Sequence, residues 1–286
     1  MNIIILGKGY VGNHLFNTLS EHSGRYGERP NVQIFSKEEL DYTDETSLME
    51  EINVIDDTYI INCSGFTGRP NVDEGENKKE ECWKYNVQVP LNLNKVCNET
   101  GAEIIHITSG CIYTGYEKEW EEDDTPNFGI YSNEASFYSK SKHAFETLSD
   151  TGLHLRIRMP FCDTMHERSV LTKIYNYDNL VDTINSKTYI PELCNFIQHY
   201  IKEGYKGYET IHFVNKEPIS TKEIVEKMKA AGIENPNWKW KEMDQLGMKA
   251  NRSNCILDTT RLEQQYNFNI SSEYTALDRA LEKMTS

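Results

Sequence analysis

The sequence predicts an α/β protein, a doubly wound parallel sheet followed by a smaller C-terminal substrate-binding cap, on two observations. Apolar runs bounded by Gly, Ser and Asn recur at residues 3–6, 32–35, 59–63, 104–107 and 153–157, with helical patterns between most of them. The first run also leads directly into a glycine-rich turn. Taking the elements in order, "IIIL" opens the sheet, and Val11, Leu15, Phe16 and Leu19 give the first helix an apolar stripe. Between the third and fourth runs Trp83, Val87, Leu91, Val96 and Cys97 fall near helical spacing, and Pro90 should bend that helix. "EKEWEEDDTP" reads as a solvated acidic loop ahead of the helix in "EASFYSKSKHAFETL". In "LHLRIRMP", alternation puts Arg156 and Arg158 on one face, where structural ion pairing is expected. Beyond Pro160 the pattern loosens into short helices, an isolated strand at 210–214, and loops carrying Trp238, Trp240 and Arg252. The expected division is residues 1–160 for the sheet domain and 161–286 mainly for the cap, with interleaving of the two left open.

Composition narrows the function. A chain of 286 residues with 38% apolar and 11% aromatic content can build a sizeable core. The formal charge of −15 repels a phosphate backbone, and the basic runs reach only Asn77-Lys78-Lys79, so no nucleic-acid partner is expected. The apolar stretch at the start is too short for a signal peptide, and no stretch reaches membrane length, which points to the cytoplasm. Seven scattered cysteines without Cys-x-x-Cys suggest reduced thiols, no disulfide framework and no metal site.

"IIILGKGYVGNHL" supplies Gly7-x-Gly9-x-x-Gly12 between strand and helix, the Rossmann fingerprint for a dinucleotide pyrophosphate. Gly7, Gly9, Tyr10, Val11 and Gly12 are the candidate contacts, making residues 1–160 the NADP-binding domain. After the second strand, Ser36 and Lys37 stand where an acidic ribose-binding residue is usual. A hydroxyl and an ammonium suit a 2′-phosphate, so NADP(H) is favoured, with NAD(H) left open. Cys63, Ser64 and Gly65, in "NCSGFTG", should lie along the second half of the cofactor.

Tyr138 and Lys142 are four residues apart on one helix and therefore share a face. A nearby ammonium makes a phenol a better proton carrier, and Ser109, ending the fourth strand, can orient a carbonyl beside it. These three groups together point to a ketone reductase that also uses Tyr138 and Lys142 to hold its cofactor. Cys111 sits two residues past Ser109, where it is either a buried structural thiol or a proton carrier.

The fingerprint with Ser109, Tyr138 and Lys142 resembles the extended short-chain dehydrogenases/reductases. "GFTGRPNVD" (65–73), "TSGCIY" (108–113), "EEDDTPNF" (121–128), "FYSKSK" (137–142), "LRIRMP" (155–160), "LTKI" (171–174) and "RSNCILD" (252–258) resemble, in order, the plant-type UDP-4-keto-6-deoxyglucose 3,5-epimerase/4-reductases that complete UDP-rhamnose synthesis. The resemblance implies that Cys111 and Lys173 carry protons in epimerisation, that UDP-4-keto-6-deoxyglucose is the substrate and that UDP-rhamnose is the product. It further suggests Arg252 for the diphosphate, and Arg69, Asn71, Cys111 and Asn254 as other substrate contacts. One glycine fingerprint is present, so a 4,6-dehydratase acting upstream is expected as a separate pathway partner. Helices flanking such sheets often pair, leaving a homodimer open. Two other readings stand beside this one: a reductase without epimerase activity on a dTDP or UDP sugar, and a non-catalytic nucleotide-binding regulatory subunit.

Overall fold

A computed structural model describes residues 1–21, 29–51, 57–69 and 71–286; Pro70, within the "GFTGRPNVD" stretch, lies outside the described residues. In chain order the strands are β1 (Asn2–Leu6), β2 (Asn31–Phe35), β3 (Thr58–Asn62), β4 (Glu103–Ser109), β5 (Gly115–Trp120), β6 (Leu153–Ile157), β7 (Asn179–Leu180), β8 (Glu209–His212), β9 (Lys239–Trp240) and β10 (Cys255–Leu257). Six of them form one parallel sheet in the order β2-β1-β3-β4-β6-β8. Both faces are covered, which is why β1 and β3 are near-continuous apolar runs rather than alternating ones. Ile3 and Ile5 point to one side, into a core with Leu15 and Leu19 of helix Tyr10–Glu21 and Phe196 and Ile197 of helix Ile190–Glu203. Ile4 and Leu6 point to the other, against Val89, Leu93 and Val96 of helix Val89–Thr100.

The run at 210–214 is not isolated. As β8 it pairs with β6 from Leu153↔Glu209 to Arg156↔His212, because Ile211 and Phe213 belong to the same core as Leu153 and Leu155. Beyond residue 160 the chain thus returns to the main sheet with a strand and a covering helix. It also builds a second core in which Phe161, Leu171, Ile174 and Leu180 meet Ile224, Met228, Leu277 and Leu281. Two small parallel pairs, β5 with β10 and β7 with β9, complete this half. No helix among the described residues is long and apolar enough to cross a membrane.

The acidic stretch "EKEWEEDDTP" is not simply a solvated loop. Its first half is in β5, with Trp120 stacked on Tyr113 at 5.1 Å in a local core with Ile112, Cys255 and Leu257. Glu122 is buried, accepting the His212 N–H at 2.8 Å at the end of β8. Pro90 acts by widening the helix rather than breaking it. Lys84–Gln88 forms a π-turn in which the Val89 N–H bonds back to the Lys84 carbonyl, so the chain passes the proline without an internal break.

Arg156 pairs as anticipated, donating from Nε to Glu146 Oε2 at 2.9 Å with Nη2 2.7 Å from the same oxygen. Arg158 does not. Alternation reports that a side chain faces inward, but not what lies opposite, and opposite Arg158 are only neutral acceptors.

Candidate active site

Strand order reverses between β1 and β3, and there the carboxyl ends of the two strands open the crevice in which doubly wound sheets bind ligands. The glycine turn is built against this crevice. A Cβ on Gly7 would lie 2.9 Å from the Cys63 carbonyl carbon and the Ser64 nitrogen, and one on Gly12 would overlap the Gly7 carbonyl oxygen. Gly7 and Gly12 are therefore demanded by the chain itself. Gly9 is not, since a Cβ there would meet nothing within 4 Å. A glycine with no protein neighbour, at the entry to helix Tyr10–Glu21, fits a turn that must admit a phosphate to its backbone. Tyr10 turns its ring inward to stack on His166 at 4.4 Å, and Val11 is half-buried against the core, so both offer the turn their backbone.

The far wall of the crevice is fixed by a buried polar chain. Ser64 donates from its N–H and hydroxyl to Asn62 Oδ1 at 3.1 and 2.6 Å, and Asn62 Nδ2 meets His106 Nδ1 at 3.0 Å. The other ring nitrogen of His106 is 2.7 Å from Asn94 Oδ1. Burial holds the His106 imidazole well below its ordinary range, so the ring stays neutral and serves as a spacer. Cys63 lies beside Gly12, and burial pushes its thiol well above the usual range. Past β2, Ser36 donates its N–H to Glu39, whose other oxygen takes Lys8 at 2.5 Å, and exposed Lys37 lies over the Tyr85 ring. The neighbouring carboxylate is thus occupied, and the Lys37 ammonium has no carboxylate partner among the described residues.

Ser136 caps the helix Phe137–Leu148 by accepting the Ser139 N–H, and Glu76 accepts the Phe137 N–H at 2.6 Å. This fixes Tyr138 at the first turn. Tyr138 lies near Ser109, at the end of β4; burial, then the neighbouring Cys111, push its phenol above the usual range, while Ser109 and Arg158 pull it back. The net direction is upward, because burial outweighs the lowering by Ser109 and Arg158, and the lowering expected from the Lys142 ammonium is not among the influences on the phenol. Lys142 is 8% exposed, held below the usual lysine range by burial, and its ammonium would lie 3.4 Å from a Cβ on Gly65. Cys111 is half-buried, donates its backbone N–H to Ser109 Oγ at 3.2 Å, and acts electrostatically on both Tyr138 and Lys142.

On the cap side, burial and then Arg168 hold the Lys173 ammonium below the usual range, with Arg252 adding to the effect. The charge of Arg168 is felt at Tyr138 as well, on the helix Phe137–Leu148. Arg252 donates from Nη1 to Asp73 Oδ1 and to the Ala250 carbonyl, both at 2.7 Å, leaving Nε and Nη2 uncommitted. Asn71 accepts the Asp73 N–H and so shapes the turn below Arg252. Asn254 accepts from Asn185 at 2.9 Å beside β10. Arg69 is the outlier, 78% exposed and 3.4 Å from Glu167.

Comparison with known proteins establishes the family and the fold. The RmlD substrate binding domain matches residues 1–286. The chain belongs to this family. Among curated relatives of this RmlD-family chain, the trifunctional UDP-glucose 4,6-dehydratase/UDP-4-keto-6-deoxy-D-glucose 3,5-epimerase/UDP-4-keto-L-rhamnose-reductase of Arabidopsis thaliana is 34% identical over 238 residues, 78% of this chain and 34% of that protein. The bifunctional dTDP-4-dehydrorhamnose 3,5-epimerase/dTDP-4-dehydrorhamnose reductase of the same plant is 33% identical, covering 78% of this chain and 76% of that protein. The chain therefore spans only a minor part of the trifunctional relative and most of the bifunctional one. The solved L780 UDP-rhamnose synthase of Acanthamoeba polyphaga mimivirus aligns over 99% of both chains with a TM-score of 0.85 and 26% identity. The dTDP-4-dehydrorhamnose reductase of Bacillus anthracis, solved in complex with NADP, shares the fold with a TM-score of 0.82 at 20% identity over 99% of both chains.

Three residues of this RmlD-family site escaped the sequence reading. Asn86, in the π-turn, clasps Phe66 through both its N–H (2.8 Å) and carbonyl (2.9 Å) and donates to Ser141 at 3.0 Å, joining the loop after β3 to helix Phe137–Leu148. Its spacing of four before Pro90 was the available signal, because that proline cannot donate to the Asn86 carbonyl. Arg168 donates to the Gly68 carbonyl at 2.6 Å and so ties the cap to the loop after β3. Arg158 lies beneath the Cys111 turn.

Proposed function

We propose that the protein is a bifunctional UDP-4-keto-6-deoxyglucose 3,5-epimerase/4-keto reductase that yields UDP-β-L-rhamnose with NADPH. The observation that carries this reading is the grouping of Ser109, Cys111, Tyr138 and Lys142 at the carboxyl end of β4, with Lys173 linked to them through Arg168. The relatives named for both activities support it.

The 4-keto group acidifies the hydrogens on carbons 3 and 5, so inversion needs one group to take a proton and another to return one on the opposite face. Cys111 and Lys173 fill these roles. A lysine held below its ordinary range by burial and by Arg168 exchanges protons nearer neutrality than a solvated one. As each C–H proton leaves, its electron pair moves onto the carbonyl oxygen, where the Ser109 and Tyr138 hydroxyls donate hydrogen bonds. A dihydronicotinamide held at the Gly9 turn and the Ser64–Gly65 loop would supply hydride to carbon 4. Tyr138 transfers its proton to the oxygen, and Lys142 holds a positive charge beside the phenolate left behind. The turn at Gly9 and the Ser64–Gly65 loop fit the cofactor, and Ser36 with Lys37 favour a 2′-phosphate. A 4,6-dehydration supplies the keto sugar.

Incubating UDP-4-keto-6-deoxyglucose with the protein in deuterated water tests the reading. Deuterium should enter carbons 3 and 5 without NADPH, and in the Cys111→Ala variant it should not. Absence of exchange in the wild type would reduce the assignment to a reductase; parallel trials with the dTDP sugar identify the preferred nucleotide.

A further inference from the structure

A line of buried polar side chains crosses the sheet and ends at the crevice between β1 and β3, and the order of its donors and acceptors follows from one backbone group. Asn62, Asn94, His106, Ser149 and His154 are buried, and Ser64, at the crevice, is half-buried. A backbone N–H can only donate, so the Asn62 atom that receives the Ser64 N–H at 3.1 Å is Oδ1, and the amide nitrogen faces His106. His106 Nδ1, 3.0 Å from that nitrogen, must be the bare one that accepts. The ring proton therefore sits on Nε2 and goes to Asn94 Oδ1 at 2.7 Å. Asn94 Nδ2 donates to Ser149 Oγ at 2.7 Å, which leaves the Ser149 hydrogen for His154 Nε2 at 3.0 Å. Burial holds both imidazoles below their ordinary range. This order requires it, since a second proton on His106 would set two donors face to face.

The order has a chemical consequence at the crevice. Ser64 Oγ lies 2.6 Å from Asn62 Oδ1, which has no hydrogen to give, so the hydroxyl hydrogen points inward and only lone pairs remain for a ligand. Two further neighbours set where that oxygen stands. A Cβ on Gly7 would lie 2.9 Å from the Ser64 nitrogen, and one on Gly65 would lie 3.4 Å from the Lys142 ammonium nitrogen. Ser64 thus stands between the glycine turn and Lys142, along the part of a dinucleotide that lies past its pyrophosphate. An oxygen that can only accept repels a phosphate and suits a hydroxyl.

We propose that His106 is a positioning residue for dinucleotide binding: its bare Nδ1 holds the Asn62 amide in the orientation that makes Ser64 Oγ an acceptor for a hydroxyl on the nicotinamide half of the cofactor. This rests on the reading of the crevice as a nicotinamide-dinucleotide site and goes beyond it by assigning the polarity of the crevice wall. Without an acceptor at the His106 position the Asn62 nitrogen is buried and unpaired, so the amide loses what fixes it and the Ser64 hydroxyl loses its direction.

Two substitutions at this one position separate positioning from simple support. His106→Asn brings an amide oxygen to the place of Nδ1 and still accepts from Asn62, whereas His106→Gln reaches the place of Nε2, serves Asn94 and leaves Asn62 unpaired. Calorimetric titration gives Kd for NADPH and for adenosine 2′,5′-bisphosphate, which lacks the nicotinamide half, with circular dichroism and thermal unfolding in parallel. His106→Gln should weaken NADPH about tenfold, the effect of about one hydrogen bond, and leave the bisphosphate within about twofold; His106→Asn should stay within about threefold of wild type for both ligands. A folded His106→Gln that binds NADPH as wild type does overturns the proposal. So does an equal loss in the two variants or for the two ligands, which would mark general damage. Should His106→Gln fail to fold, Ser64→Ala carries the test: it removes the acceptor and leaves His106 and Asn62 in place, and unchanged NADPH affinity overturns the proposal. A wild type that takes NADH in preference to NADPH fails the NADPH assignment alone, and the comparison is then made with NADH and AMP. A wild type that binds neither dinucleotide overturns the dinucleotide reading and this proposal together.

Discussion

Gly9 separates what the chain requires from what a bound dinucleotide requires. Replacing it with alanine adds a methyl group that meets no protein atom within 4 Å, and Gly9 is not among the residues with left-handed backbone. Two small stability effects then oppose each other. Alanine restricts the unfolded chain, a gain of about 0.4–1 kcal/mol, but it is a poorer entry residue for helix Tyr10–Glu21, a loss of about 1 kcal/mol. The melting temperature should therefore stay within about 4 °C of wild type. Binding behaves otherwise, because the methyl projects into the space beside the first-turn N–H groups, where the pyrophosphate must come close. Weakening one charge-assisted hydrogen bond there costs about 1.5–3 kcal/mol, which is about 10- to 100-fold in Kd. NADPH titration by quenching of protein fluorescence, with thermal unfolding in parallel, reads both quantities. Gly12→Ala is the control, since its methyl would overlap the Gly7 carbonyl and should lower stability outright. A Gly9→Ala protein that binds NADPH like wild type would show that the crevice between β1 and β3 does not hold the pyrophosphate.

Tyr138→Phe should lower kcat for ketone reduction by about 10²- to 10⁴-fold while deuterium exchange at carbons 3 and 5 continues, measured by NADPH absorbance and proton NMR. Arg168→Gln removes a positive charge that holds the Lys173 ammonium low, so the acid limb of the exchange rate should move up by as much as about one pH unit. An unmoved limb would separate Lys173 from that arginine. Burial opposes ionisation of Glu146, but Arg156 overrides it and leaves the carboxyl below its ordinary 4.5. The unfolded state then binds the proton more readily, so this stabilisation is present above about pH 4.5 and is lost as pH falls through the folded value. Glu146→Gln should accordingly melt roughly 10 °C below wild type at pH 7, with the gap closing in acid.

Features legible in the sequence are those whose cause lies within a few residues. Gly7 and Gly12 stand out in the sequence, and the structure needs glycine at both, because the strand, turn and helix that demand them are contiguous. Tyr138 and Lys142 are read from the helical repeat, and Ser109 from its place at the end of an apolar run. The partner of β8 is invisible for the opposite reason. Nothing near Ile211 says that it pairs with Leu155, more than fifty residues earlier, and a short alternating run among loops then looks isolated. Arg156 and Arg158 make the same point more sharply. Two positions apart on one face, they give identical local signals, yet one meets a carboxylate from helix Phe137–Leu148 and the other meets Ser253 and Asn185. Glu122, in a run of acids, is buried because a strand edge needed an acceptor, which no charge pattern records.

The same contrast explains why Cys111 and Lys173 required a resemblance to be noticed. Each is ordinary in its own segment, and the groups around it are delivered by distant chain. Cys111 follows Gly110, whose carbonyl accepts from Arg158, itself held by Ser253 of the C-terminal segment; the Lys173 ammonium is held low by burial, by Arg168 and by Arg252. Those last two arginines also tie the cap to the loop after β3, through Gly68 and Asp73 respectively. Anything that pulls this loop away from the cap therefore also alters the charge around Lys173. Among the described residues Arg252 spends only Nη1 on the tie, so were an anionic diphosphate received on Nε and Nη2 the tie would stand and the charge around Lys173 would change with it.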